Sequence, residues 1–178
     1  PGNPQQQGRI TWTTDPRPMR IFCTLTLVLV AGGLKAQFGA ESDISLSTAG
    51  VSDVHPADLD GDGDPDIVSA SPGDGKIAWY ANEGPDGFGT QRIITTQADG
   101  GPVDIEVADL DTDGDLDVLS ASFSDAKVAW YRNDGSGGFG SEQIISTGTV
   151  SAGSVHTADL DGDGDQDVVY GSYQLPGK

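Results

Sequence analysis

The chain has 178 residues, enough for one ordinary domain, and sets 28 acidic side chains against 9 basic ones for a formal charge of −19. So negative a surface repels nucleic acid and anionic membranes, which excludes polyanionic partners. A single cysteine, Cys23, excludes an internal disulfide framework.

Residues 1–18 precede the first methionine and resemble neither a domain nor a targeting segment, so they are expected to be a non-native upstream extension. Residues 19–36 read as a signal peptide. Met19-Arg20 supplies a short basic start, Ile21 to Val30 an apolar run, and Ala31, Gly32 and Gly33 the small residues that follow. Cleavage is expected after Ala36, although Leu34 stands where a small residue is usual. The apolar run is too short to span a bilayer, so no stable membrane span is expected after cleavage and the mature chain is expected to be secreted or at the cell surface. Cys23 leaves with the signal, and its position and neighbours do not suit lipidation. Loss of residues 1–36 removes four basic groups and one acidic group, which takes the formal charge from −19 to −22. An exported chain without cysteine needs another source of stability, and bound metal is one.

Residues 37–178 form a repeat array. Phe-Gly recurs at Phe38-Gly39, Phe88-Gly89 and Phe139-Gly140, and Trp-Tyr at Trp79-Tyr80 and Trp130-Tyr131. The units run 38–87, 88–138 and 139–178, the last cut short where a third Trp-Tyr strand is expected. A period near fifty residues signals one supersecondary unit copied into an array or propeller. Each unit reads as four short strands: one after Phe-Gly (Gln91 to Thr95), one before an acidic loop (Val103 to Ala108), one after it (Val118 to Ala121), and a Lys-x-Ala-Trp-Tyr strand. Ile77 and Trp79 alternate with Ala78 and Tyr80, so both faces of that strand are apolar and both are expected to be covered. The expected fold is all-β, with four-stranded antiparallel blades of an incomplete β-propeller of two and a half to three blades. Propellers typically have about four to eight, so the array is expected to be a fragment of a longer protein or a truncated reading frame. The plain reading of Trp79, Tyr80, Trp130 and Tyr131 is core between blades.

Three copies of one nonapeptide punctuate the array, and they hold 15 of the 28 acidic residues. The first carries Asp58, Asp60, Asp62, Asp64 and Asp66; the second Asp109, Asp111, Asp113, Asp115 and Asp117; the third Asp159, Asp161, Asp163, Asp165 and Asp167. Five carboxylates in so short a loop repel one another unless a cation sits among them. An all-oxygen donor set selects a hard divalent ion, and calcium accepts the about six to eight oxygens such a loop plus water can offer, whereas magnesium demands a stricter octahedron. The expectation is one Ca2+ per loop, up to three. Side chains at the first, third, fifth and ninth positions are assigned as ligands, with the backbone carbonyl of the seventh (Asp64, Asp115, Asp165). Gly63, Gly114 and Gly164 allow the turn. An EF-hand would need a bidentate Glu at the twelfth position, where Ser69, Ser120 and Tyr170 stand.

With its Phe-Gly openings, its DxDxDGxxD loops after a strand and its period, the stretch 38–178 resembles the FG-GAP/VCBS repeats of secreted bacterial proteins, the repeat type that also builds the propeller of integrin α subunits. The resemblance implies four-stranded blades, calcium in the loop between the two inner strands, and an extracellular role in adhesion or recognition.

No catalytic constellation stands out. His55 and His156 share a repeat position, but Glu106 replaces them in the middle copy. No Gly-x-Ser-x-Gly elbow, phosphate loop or zinc motif occurs, and carboxylate spacing that is identical in every repeat argues for a structural task rather than glycoside hydrolysis. The favoured function is a calcium-binding extracellular scaffold that presents a binding surface to a protein or glycan, without catalysis in this segment. The alternatives are accessory repeats of a larger secreted enzyme, or a structural spacer.

Overall fold

The computed structural model describes residues 43–44, 49–98, 100–148 and 150–173. The expected upstream extension and signal peptide, and Phe38-Gly39, lie outside the described residues. Ten strands follow one another: β1 Asp53–Ala57, β2 Asp66–Ser71, β3 Lys76–Tyr80, β4 Arg92–Thr95, β5 Pro102–Ala108, β6 Asp117–Ser122, β7 Lys127–Tyr131, β8 Gln143–Thr147, β9 Ser151–Ala158 and β10 Asp167–Tyr173. They form two four-stranded antiparallel sheets, β1-β2-β3-β4 and β5-β6-β7-β8, and a two-stranded pair, β9-β10. Among the described residues the only helical segment is a 3-10 turn at Gly84–Asp86, and no helix is long and apolar enough to cross a membrane. The all-β, four-stranded blade architecture is therefore as expected.

The strand after each Phe-Gly does not begin a new sheet. β4 pairs with β3, and β8 with β7, so the first strand of a sequence unit is the outer strand of the sheet before it. Chain connectivity explains the offset. Asn82 bridges Phe88, Gly89 N–H donates to the Ala81 carbonyl at 2.8 Å, and Asn133, Phe139 and Gly140 repeat this beside β7. Phe-Gly thus closes the last hairpin of a sheet, and consecutive antiparallel strands pair with each other.

The sheets stack face to face in one sense. Val68, Ala70, Ile77 and Trp79 of the first sheet meet Ile105, Val118 and Tyr131 of the second, with Leu59 of the first acidic loop in the same buried cluster. On the far side of the second sheet, Leu119, Ala121 and Val128 meet Ala152 and Val155 of β9, with Leu110 and Trp130 packed against them. Alternation along β6 sends Val118 one way and Leu119 the other, so the strand is covered on both faces and fully buried. Trp79, Tyr80 and Tyr131 are all buried, and the Tyr hydroxyls reach the start of the outer strand: Gln91 Nε2 donates to Tyr80 Oη at 2.7 Å, and Tyr131 Oη donates to Glu142 at 3.0 Å. Burial and the adjacent Glu142 carboxylate push the Tyr131 hydroxyl pKa far up, so it stays a donor.

Matched polar staples join the innermost strands. Asp53 Oδ2 accepts from Ile105 N–H at 2.9 Å, and Asp104 Oδ2 accepts from Val155 N–H at 2.7 Å. Along the same row, Glu106 lies 3.9 Å from His55 Nε2 and 3.2 Å from His156 Nδ1, so one side chain from each sheet hands on to the next.

Candidate metal centre

All three acidic loops link the two inner strands of a sheet: β1 to β2, β5 to β6, and β9 to β10. Their shape comes from the carboxylates themselves. Asp58 Oδ1 accepts from Gly61 N–H at 2.9 Å and Oδ2 from Gly63 N–H at 3.0 Å, while Asp62 Oδ1 accepts from Asp64 N–H at 2.9 Å. The third loop repeats this with Asp159 to Gly162 and Gly164, and Asp163 to Asp165. In the second, Asp109 holds Asp113 and Gly114, and Asp113 holds Asp115. At the sixth position φ is +93° for Gly63, +97° for Gly114 and +99° for Gly164, a left-handed conformation that disfavours any residue with a Cβ.

The ninth Asp ties the loop to the sheet. Asp66 is fully buried, with Oδ2 accepting from Leu59 N–H at 2.9 Å and Oδ1 from Asn82 N–H at 2.8 Å. Asp117 is buried likewise, accepting from Leu110 N–H at 3.2 Å and Asn133 N–H at 2.8 Å. Burial raises both carboxyls above their ordinary pKa; the backbone N–H bonds oppose this, and the third and fifth Asp of each loop add to it. Asp167 keeps the bond to Leu160 N–H at 3.0 Å but is exposed.

Oxygens from Asp58, Asp60 and Asp62 lie within 4.8 Å of one another, as do those of Asp109, Asp111 and Asp117, and those of Asp159, Asp161 and Asp167. Asp64, Asp66, Asp113, Asp115, Asp163 and Asp165 fall outside these groupings. Asp60 Oδ1 and Asp111 Oδ1 are buried without a hydrogen-bond partner. A buried anionic oxygen without a donor is costly, and a bound cation is what would satisfy it. The donor set is wholly oxygen, so the residues present fit calcium.

Sequence reasoning missed three parts of this site. Asn133 Nδ2 donates to the Leu59 carbonyl at 2.7 Å and the Leu116 carbonyl at 3.0 Å, stitching the first loop to the second sheet; its recurrence as Asn82 and Asn133 was the available signal. Asp53 and Asp104, five residues before their loops, also recur. Arg132 had no such signal, because Ala81 holds the matching place. It bonds Asp111 Oδ2 through Nε at 2.6 Å and Asp113 Oδ2 through Nη2 at 2.7 Å. Its hydrogen bond is the main reason the Asp113 carboxyl lies below the usual range.

Residues 58–120 and 109–170 each match the FG-GAP-like repeat family. Together they span more than half of the chain, which therefore belongs to that family. In this class the stacked sheets are a β-propeller-type scaffold. Among solved structures, the chain is similar to an Agrocybe aegerita lectin described by its specific recognition of non-reducing terminal N-acetylglucosamine, at 25% identity and a TM-score of 0.47. The likeness covers 66% of this chain and 32% of the lectin, so the chain spans about a third of that protein's length. No curated protein matches the chain.

Proposed function

We propose that this segment is an extracellular scaffold whose stacked sheets are held by calcium and present a surface for adhesion or recognition, with no catalysis of its own. The observation that carries this reading is the convergence of three carboxylates in each of three loops at the same place in each sheet, with buried, partnerless oxygens on Asp60 and Asp111. First-, third-, fifth- and ninth-position side chains, with the carbonyls of Asp64, Asp115 and Asp165, would hold the ions. Calcium would supply charge neutralisation and a fixed coordination shell that locks the two inner strands of each sheet.

The signal-like segment at 19–36 favours an exterior location, where calcium is abundant, and a chain without cysteine beyond that segment has no disulfide to stabilise it there. Exterior calcium modules bind with dissociation constants of about 10⁻⁴–10⁻³ M, so at about 1 mM calcium each site adds about 0.4–1.4 kcal/mol. For a cysteine-free array, three such increments decide whether it stays folded. Thermal melting with and without a calcium chelator tests the reading. Chelation lowers the midpoint by several degrees and added calcium restores it; a melting curve indifferent to both refutes calcium stabilisation. Calcium-loaded protein screened against glycans and matrix proteins tests the recognition role, and calcium-dependent retention of one class supports it.

A further inference from the structure

The three loops share a sequence pattern, yet the second carries a cation of its own. Arg132 follows β7 directly and is 53% exposed, with Nε 2.6 Å from Asp111 Oδ2 and Nη2 2.7 Å from Asp113 Oδ2. The matching residue of the first sheet is Ala81, which cannot do this. In the first loop the nearest guanidinium belongs to Arg92, on the outer strand; it lies 4.5 Å above the Trp79 ring and only 3.9 Å from Asp60 Oδ2. Among the described residues no basic side chain pairs with the third loop.

The oxygen that Arg132 takes matters. Asp62, Asp113 and Asp163 each give Oδ1 to the N–H two residues on. In Asp62 and Asp163 the other oxygen has no partner among the described contacts, whereas in Asp113 it is bonded to Arg132. Asp62 joins the converging group of its loop, whereas in the second and third loops the ninth Asp takes that place, with Asp109, Asp111 and Asp117 in one and Asp159, Asp161 and Asp167 in the other. What sets the second loop apart is that Arg132 already bonds an oxygen of Asp111 and one of Asp113. Asp111 Oδ1, the oxygen that Arg132 does not reach, remains buried and partnerless.

The geometry points to Arg132 as a tethered counter-ion that competes with calcium for the second loop, occupying one oxygen each of Asp111 and Asp113 and neutralising one charge, so that this loop keeps its shape without metal and binds calcium more weakly than the first. The inference rests on the calcium reading above. An open groove of about 600 Å³, lined by Arg132 with Asp113, Asp115, Asn133, Asp134 and Phe139, leaves room for the guanidinium to swing aside when an ion enters. Charge-assisted bonds of this length are strong for their kind, but exposure and salt weaken them, so the competition is modest rather than a block. The protein would then fill its sites in sequence as calcium rises.

Calorimetric calcium titration of the full chain tests this, alongside melting in chelator, using Arg132→Gln and the conservative Arg132→Lys. In Arg132→Gln one of the three binding steps tightens about threefold to tenfold, while the melting midpoint in chelator falls. Arg132→Lys, which keeps the charge but not the two-pronged geometry, lies between. If the wild type binds three calcium ions and Arg132→Gln leaves every step unchanged, or weakens one, Arg132 is not a competitor and only this inference fails. A wild type that binds no calcium overturns the calcium reading and this inference together.

Discussion

Asp66 holds together what surrounds it more than its place in an acidic loop implies. Both of its oxygens take backbone N–H groups, one from the loop and one from the turn after β3, inside a buried site. Asp66→Ala would leave two donors unsatisfied, and the expected cost is about 2–4 kcal/mol. Asp64 is exposed and its side chain accepts no described hydrogen bond, so Asp64→Ala should stay within about 0.5 kcal/mol. Urea unfolding in chelator compares them without calcium; equal effects would show that the ninth Asp is no staple. Asp104 offers a pH test away from the loops. Burial is the largest cause of its raised pKa, opposed by Val155 N–H and reinforced by Asp53, with His156 also opposing. A folded-state pKa above the unfolded one means the native state holds its proton more readily. The ionised group therefore costs stability above that pKa, and the cost disappears as pH falls below the unfolded value. Asp104→Asn keeps an acceptor for Val155 N–H without the charge. It should be the more stable protein at pH 7, with the gap in melting midpoint closing on acidification; a gap that widens would reverse the assignment.

Within the elements, the same loop position has different consequences in different sheets. The second residue of the acidic loop is Leu in all three copies, yet Leu59 is 1% exposed and Leu160 is 67% exposed. Leu59 enters the cluster between the first and second sheets, Leu110 packs toward β9, and no described sheet covers Leu160. Leu59→Ala should cost about 2–5 kcal/mol and Leu160→Ala within about 0.5 kcal/mol in chemical denaturation. A similar loss from both would mean that Leu160 is covered in solution. β6 shows why a strand between stacked sheets carries apolar residues on both faces: Val118 meets the first sheet, while Leu119 and Ala121 meet β9. The outer strands β4 and β8 leave Ile93 and Ile144 exposed.

At the scale of the whole molecule, the formal charge of −19 is concentrated in three loops that lie at one end of successive sheets. Their carboxylates hold the loops in shape through backbone N–H bonds, but the charges still repel one another when no cation is bound. Raising ionic strength from about 0.1 M to about 1 M shortens the screening length from about 10 Å to about 3 Å. In chelator, sodium chloride over that range should therefore raise the melting midpoint, and the rise should shrink once calcium is present. An equal salt effect in both conditions would show that the loops are not the seat of the repulsion.

Much of this was readable from the chain. Copying of one unit announced itself through Phe-Gly, Trp-Tyr and the nonapeptide, because each residue type answers a local need: glycine a left-handed turn, alternating apolar residues a strand covered on two faces, clustered carboxylates a cation. Those needs are settled within a few residues, so sequence alone determined the strands, the all-β class and the fifteen candidate aspartates. Which sheet receives each strand was not local. Only the folded chain showed that Phe-Gly closes a sheet instead of opening one, because pairing depends on the hairpin it completes. Nor could spacing reveal that Asn133 reaches back to Leu59, that Asp53 and Asp104 cap the next sheet, or that Arg132 occupies the second loop. Those contacts join residues remote in sequence, and their geometry exists only when the sheets stack.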